Sequence, residues 1–254
     1  MSIFEVALES FIDMNHDLVL LSKQIDWEAV ESEFAEYYCA DNGRPSVPIR
    51  KMVGMMLLKN IYNLGDEGVV ARWMENPYMQ YFTGAKVFQK RPPMNPIDMT
   101  KFRKRIGEKG AEKIFKISLT GFTPKEILTD RGYRGKKSVG STDISIPASG
   151  SPKQSYYEKR KARKKFCKRA GIEPVIGHLK SDHRMMRNYL KGTLGDAINT
   201  LMAAAAYNMR HWMNKHASYS FVSCLKTLVG RLENVIFGNE NKSACRCSAL
   251  AAVA

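Results

Sequence analysis

The sequence contains few cysteines, and those present form no recognisable set of ligands. The five are scattered along the chain: Cys39, Cys167, Cys224, Cys245 and Cys247. Cys245 and Cys247 have neither a second cysteine pair nor the flanking histidines that a structural zinc site requires. An odd number of cysteines also argues against a disulfide framework. We therefore expect free thiols, as in a reducing cytoplasm.

Long apolar runs are absent as well. The best one, LMAAAAY at residues 201–207, is far shorter than the roughly 20 residues that cross a bilayer. The first ten residues, MSIFEVALES, carry acids where a secretory signal would carry bases. These observations argue against a membrane partner, and they predict a soluble cytoplasmic protein.

Acidic residues are scarce relative to basic ones, at 25 against 40, which gives a net charge of +15. The imbalance is not uniform. Residues 1–45 contain ten acids and two bases, a net of −8, so the remaining residues carry +23. Such an excess suits a nucleic-acid backbone or an anionic surface. Because 44% of the 254 residues are apolar, the chain can also bury a core.

Residues 1–117 have the pattern of a helical domain. A helix is predicted to begin with Pro48 at its first position and to end at Gly65, and a second one ends at Pro77. Apolar side chains share one side of the first helix: Met52, Met55, Met56 and Ile61. Two helices joined at a glycine resemble a helix-turn-helix, a pattern that many helical hairpins share. MTKFRKRIGEKGAEKIFK, at residues 99–116, predicts a basic helix.

The pattern changes at residue 118. KEILTD at residues 125–130 and STDISIPA at 141–148 are short, β-leaning and bounded by glycine or proline. The fold class is therefore a mainly α N-terminal helical domain, 1–117, followed by a reduced α/β domain, 118–216. The tail at 217–254 has no readable motif.

A strongly basic segment lies within the second region. From Lys153 to Arg169 it holds nine bases and one acid, Glu158. Such a run is often only a solvated face. Here Tyr156, Tyr157 and Phe166 interrupt the charges, which favours a nucleic-acid contact over a floppy tail.

Four residues around the end of that segment are spaced to share one stripe of a helix: Phe166, Arg169, Glu173 and Lys180. A carboxylate between two cations can hold a divalent metal while the cations hold phosphate oxygens. Pro174 should kink the helix or restart it, which places Glu173 at a helix entrance. The neighbouring histidines, His178 and His183, are expected to be exposed or to face DNA. Further on, Asp196 is expected to cap a buried helix.

These motifs resemble those of bacterial insertion-sequence transposases. The spacing Phe-x2-Arg-x3-Glu-x6-Lys is similar to their Tyr-Arg-Glu-Lys signature, with Phe166 in place of tyrosine. ILTDRGYRG, which contains Asp130, resembles the segment that bears their second catalytic aspartate. The stretch from GRPSVPIRK to MQYFTG, at residues 43–84, resembles the helical N-terminal domain of the insertion-sequence-five family.

The resemblance implies a ribonuclease-H-like domain that cuts and rejoins DNA with two Mg²⁺ ions held by two Asp and one Glu. By motif, Asp130 is the second carboxylate and metal ligand, and Glu173 is the third. Arg169 and Lys180 would contact phosphates. Other basic residues near the motifs are expected to bind DNA: Arg131, Arg134, Lys136, Lys137, Lys159, Arg160, Lys161, Arg163, Lys164 and Lys165.

The sequence departs from the family at the first aspartate. The chain runs almost directly from the N-terminal domain into the strand before Asp130, and no acid lies between Glu112 and Glu126. Asp98 is the nearest upstream aspartate, but it lies in a proline-rich loop. The chain therefore resembles a transposase with an internal deletion that removed the first aspartate, and at most one Mg²⁺ is expected, bound weakly.

Three functions are weighed. The first is an active transposase that uses a third carboxylate not identified in the sequence. The second is an inactive, nucleoid-associated protein that binds double-stranded DNA at element ends, as a homo-oligomer or paired with an intact transposase. The third is a basic RNA-binding protein, which the motifs at Asp130 and Glu173 argue against. The missing aspartate favours the second.

Overall fold

The computed structural model describes residues 6–38, 46–119, 125–129, 134, 137–139, 142–146 and 155–236. The helices of this part of the chain are α1 Asp17–Gln24, α2 Trp27–Phe34, α3 Ile49–Ile61, α4 Asp66–Glu75, α5 Pro77–Phe82, α6 Pro96–Ile117, α7 Tyr156–Ala170, α8 Ile172–Asp182 and α9 Gly192–Ile236. The strands are β1 Glu126–Leu128, β2 Ser138–Val139 and β3 Thr142–Ser145. Short 3₁₀ helices lie at Leu8–Ser10 and Ala35–Tyr37. The chain divides into two compact units, Met1–His211 and Trp212–Ala254.

Helix α3 is the centre of the N-terminal helices. It is apolar on all sides, as expected of a helix that is surrounded by others, and residues 52–58 are all buried. It packs against α2, α4 and α6, and α1 packs against α5. The predicted core residues of this helix are confirmed: Met52, Met55, Met56 and Ile61 are each at most 5% exposed.

Side-chain caps and prolines fix where the neighbouring helices begin. Asp26 accepts a hydrogen bond from the Ala29 amide at the start of α2. Asn95 and Asp98 form a capping box at the start of α6. Pro48 immediately precedes α3 rather than occupying its first turn. Pro77 follows α4, as predicted, and is also the first residue of α5, because its missing N–H is no loss there.

The basic helix predicted at residues 99–116 lies within α6, with one interruption. Gly107 has φ 60° and ψ −159°, so α6 is kinked at this residue. A positive φ of this size favours glycine. The kink divides the helix into residues 96–106 and 108–117, and buried residues lie on both sides of it.

The predicted strands form a small mixed sheet in the order β1–β3–β2. Strands β1 and β3 are parallel, with Ile127 opposite Ile144, and β2 is antiparallel to β3. Both β-leaning segments of the sequence are thus confirmed as strands. The described chain is mostly helical with this one small sheet, and the ribonuclease-H-like assignment stays a prediction.

The segments after the sheet correct three expectations. The single helix stripe predicted for Phe166, Arg169, Glu173 and Lys180 is interrupted, because a turn at Gly171 separates α7 from α8. Asp196 does not cap α9, which begins four residues earlier at Gly192; its carboxylate accepts a hydrogen bond from Asn188 instead. His183 is neither exposed nor free to face DNA. It is 3% exposed, and its Nδ1 lies 3.0 Å from the carbonyl oxygen of Asn60 in α3.

Candidate nucleic-acid interface

Helix α7 carries most of the predicted DNA-binding residues, and its start is set by a capping box. The Ser155 amide donates to Glu158 Oε2 at 2.9 Å, and the Glu158 amide donates to Ser155 Oγ at 3.3 Å. The spacing Ser-x-x-Glu is the sequence signature of such a box and predicts it. These hydrogen bonds hold the Glu158 carboxylate at the start of the helix. Glu158 is the one acid of α7.

The remaining surface of α7 is basic and exposed. Its 15 residues contain eight bases: Lys159, Arg160, Lys161, Arg163, Lys164, Lys165, Lys168 and Arg169. The side chain of Arg169 lies outside the described set; of the others, all are exposed except Lys165, which is partly buried. Two aromatic rings stand at the entrance, with Tyr156 82% and Tyr157 75% exposed. The helix therefore presents cations and aromatic faces together to solvent.

One of the bases has a structural partner. Lys165 pairs with Glu126, the first residue of β1, and Ser145 Oγ of β3 donates to the same carboxylate at 2.6 Å. Hydrogen bonds from Lys165 and Ser145 lower the pKa of the Glu126 carboxyl below its ordinary value. The pair joins α7 to the sheet, so it both holds the basic helix in place and neutralises one of its charges.

The predicted residues beside the sheet are described only in part. Arg134 and Lys137 are exposed. Arg131 and Lys136 lie outside the described residues, and so does Asp130. The predicted proximity of the Asp130 and Glu173 carboxylates therefore stays a prediction.

Glu173 lies in the first turn of α8, which confirms that Pro174 restarts the helix. Its side chain is exposed, and Lys180 is exposed in the last turn of the same helix. The side chain of Phe166 lies outside the described set. Within the described residues, no three Asp, Glu, His or Cys side chains are grouped closely enough to hold a metal. Glu173 has no described ligand partners, so these residues do not by themselves fit a Mg²⁺ site.

The two helices that resemble a helix-turn-helix, α3 and α4, offer a less suitable surface. Helix α4 contains three acids and one base: Asp66, Glu67, Glu75 and Arg72. Two of these acids, Glu67 and Glu75, are exposed, and exposed carboxylates are repelled by the phosphate backbone. This charge disfavours α4 as a helix that reads DNA.

A charged cluster at the start of α4 was missed in the sequence. Asp66 accepts from Lys59 Nζ at 2.7 Å and from Arg103 Nη1 and Nη2 at 3.0 and 2.6 Å. Burial by itself would raise the pKa of the Asp66 carboxyl, but the hydrogen bonds and charges of Arg103 and Lys59 outweigh it and lower the pKa. Burial, followed by the charge of Arg103, lowers the pKa of the Lys59 ammonium. The cluster joins α3, α4 and α6.

No described helix is both long and apolar enough to cross a membrane. Comparison with known protein families gives a match between residues 6–105 and the model named Transposase domain (DUF772). The matched segment contains α1 to α5 and the part of α6 before its kink.

Among curated proteins, the chain is similar to the uncharacterized protein ORF8 in the nfe locus of Rhizobium meliloti. The two are 40% identical over 117 residues, which cover 46% of this chain and 56% of that protein. The chain thus matches only about half the length of this relative. No solved structure matches the chain. The similarity to a transposase domain is thus carried by residues 6–105, which hold α1 to α5 and the first part of α6.

Proposed function

We propose that this chain is a DNA-binding protein of the transposase family, which binds double-stranded DNA at the ends of an insertion sequence through α7. The observation that carries the proposal is an exposed helix with eight bases, whose one acid, Glu158, is used in its own cap. The similarity of residues 6–105 to a transposase domain supports the family.

The charge of α7 explains how such binding would work. Each Lys or Arg that neutralises a phosphate releases a condensed counterion, so the affinity falls as the salt concentration rises. The exposed rings of Tyr156 and Tyr157 add surfaces on which bases or sugars can pack. This chemistry favours nucleic acid as the class of partner and selects no particular sequence.

We further propose that the chain belongs to the insertion-sequence-five type with Asp130 and Glu173 as remnants of a catalytic set, and that it neither cuts nor joins DNA. Two-metal phosphoryl transfer needs several carboxylates held together on a rigid scaffold. Glu126, the acid that precedes Asp130 most closely, is engaged by Lys165 and Ser145. It is therefore a poor substitute for the missing first aspartate.

DNA binding is tested by fluorescence anisotropy of a labelled duplex at increasing salt. The variant changes Lys159, Arg160, Lys161 and Arg163 to Ala, all of which are exposed on α7. We expect the slope of log K against log salt to become shallower by about 3 to 4, since each phosphate contact contributes about 0.9.

A matched control removes four exposed bases elsewhere: Lys23, Lys86, Lys90 and Arg91. Its slope should stay that of the wild-type protein. If both variants flatten the slope equally, binding depends on the total charge of the protein, and α7 is not the interface. If neither does, the proposed function is wrong.

Catalytic inactivity is tested with purified protein, Mg²⁺ or Mn²⁺ and a labelled duplex that carries the ends of the matching element. We expect no divalent-dependent nicking. Nicking that disappears in both Asp130→Ala and Glu173→Ala would show that the chain is an active transposase with a third carboxylate.

A further inference from the structure

The loop between α8 and α9 has the composition of a second phosphate-binding element. Residues 183–191 read HRMMRNYLK, with three bases, Arg184, Arg187 and Lys191, and no acid. Met186 is 81% exposed and Tyr189 is 65% exposed, although both side chains have large apolar surfaces. Exposed apolar groups beside unmatched cations are typical of a surface that binds a partner rather than of a solvated turn.

The loop is held firmly in place despite this exposure. The Met185 and Met186 amides donate to the carbonyl oxygens of Leu179 and Lys180, at 3.1 and 3.2 Å, so the loop folds back on the last turn of α8. His183 is buried against α3. A loop that is already held in one conformation loses little conformational freedom when it binds a partner.

Arg184 shows that the loop conformation is specific. Its φ is 63°, in the left-handed region that non-glycine residues rarely adopt. Its Nη1 donates to the carbonyl oxygen of Asn63 at 3.3 Å, and its own carbonyl accepts from Asn199 at 3.4 Å. Strain retained by the surrounding contacts is common where a side chain must be aimed in one direction.

Two cations lie close to the ring of Tyr189. The guanidinium carbon of Arg184 lies 5.2 Å from the Tyr189 ring centroid, and that of Arg187 lies 5.1 Å from it. These distances are in the range of cation–π attraction. Within the described residues neither guanidinium has an acid partner, so two like charges face one ring without neutralisation.

The surface beneath the loop adds positive charge. A cavity of about 30 Å³ lies there, and its lining includes the basic residues Lys59, Arg103 and Arg184. Arg103 is 6% exposed, and its Nε has no hydrogen-bond partner among the described residues. Among the residues that the structure describes, Asp66 is the one carboxylate that pairs with Lys59 and Arg103. The cluster therefore adds a net positive charge to that of the loop.

We propose that residues 183–191 form a phosphate clamp, in which Tyr189 positions the guanidinium groups of Arg184 and Arg187 to hold the backbone of the bound DNA. The clamp rests on the proposed DNA-binding function and adds a contact outside α7. A phosphate bound by the two guanidiniums supplies the counter-charge that neither has among the described residues. Tyr189 is a positioning residue, because its ring holds the cations rather than the phosphate.

The test measures the anisotropy of a labelled duplex at several salt concentrations with three variants. The double variant Arg184→Asn, Arg187→Ala removes both cations, with Asn chosen because it tolerates a positive φ. Its slope of log K against log salt should be shallower by about 2. Tyr189→Leu keeps the charges and should bind on the order of two- to fivefold more weakly, with the slope unchanged. Tyr189→Phe keeps the ring and should bind as the wild-type protein does.

A control variant, Lys23→Ala with Lys86→Ala, removes two exposed bases elsewhere, and thermal unfolding shows whether each variant is folded. If the α7 variant flattens the slope and the double loop variant does not, the clamp is wrong while DNA binding through α7 stands. If Tyr189→Phe binds as weakly as Tyr189→Leu, the hydroxyl rather than the ring matters, which also overturns the clamp. If the α7 variant has no effect either, the proposed function itself fails.

Discussion

Removing the Asp66 carboxylate should destabilise the protein far more than removing a charge from an exposed ion pair, such as that of Lys101 with Asp98. The side chains of Arg103 and Lys59 are 7% and 16% exposed, and Asp66 itself is 22% exposed. Asp66→Ala leaves two buried cations without a counter-charge, which typically costs about 3 to 5 kcal/mol. We take about 3 kcal/mol because burial already disfavours the Lys59 ammonium. For a chain of this size, the Tm should fall by roughly 6–12 °C.

Lys59→Met should have a much smaller effect. The substitution removes a cation whose pKa is already lowered by burial and by the charge of Arg103. It leaves the two hydrogen bonds from Arg103 to Asp66 intact. Replacing a buried ion by an apolar group of similar volume is often neutral. We expect a change in unfolding free energy of at most about 1 kcal/mol.

The same cluster sets a dependence on pH. The pKa of Asp66 is lower in the folded protein than in the unfolded chain, so its stabilisation is fully present above the unfolded pKa, near 4. It is lost as the pH falls towards the lowered folded value. The difference in stability between the wild-type protein and Asp66→Ala should therefore shrink as the pH falls below about 4.

The assay is urea unfolding followed by circular dichroism at pH 7 and at lower pH. Lys101→Ala serves as a control, because Lys101 is 68% exposed and its contact with Asp98 is 3.8 Å; no measurable change is expected. Equal losses in Lys59→Met and Asp66→Ala would refute the reasoning, since they would mean that Lys59 rather than Arg103 holds the carboxylate.

Further substitutions test the helical core. Trp73→Phe removes the buried hydrogen bond from Nε1 to Thr83 Oγ1, 2.8 Å long, and should lower the unfolding free energy by about 2 kcal/mol in urea titrations with an unchanged m-value. Gly84→Ala places a Cβ 2.9 Å from the Arg50 side chain at φ 87° and should cost about 1 to 3 kcal/mol, seen as a lower Tm. Asn76→Ala removes the cap of α5. It should lower the unfolding free energy by about 1 kcal/mol and speed hydrogen exchange in that helix. Tm values equal to that of the wild-type protein would contradict all three predictions.

Features that depend on neighbouring residues in the sequence could be predicted. The methionine positions of α3, the strands β1 and β3 and the restart of the helix at Pro174 each follow from local periodicity or from the missing proline N–H. The basic character of α7 is also a property of consecutive residues. Local signals of this kind survive because tertiary packing reinforces them.

Features that depend on distant residues could not be predicted. Asp196 has the sequence of a helix cap, but Asn188 takes its carboxylate and α9 begins earlier. His183 is polar, yet a carbonyl of α3 gives it a buried partner. The pairing of Asp66 with Arg103 spans 37 positions, and no spacing rule connects residues on different helices at that separation.

The C-terminal end of α3 is hydrogen-bonded to residues that lie far along the chain. Its Asn60 carbonyl accepts from His183, Asn63 donates to the Ser181 carbonyl, and the Asn63 carbonyl accepts from Arg184, across 118 to 123 positions. Residues 6–105 carry the family match, but as an excised fragment they would lose these three hydrogen bonds at the end of α3. The last turn of α3 should therefore exchange its amide hydrogens faster in that fragment than in the whole chain.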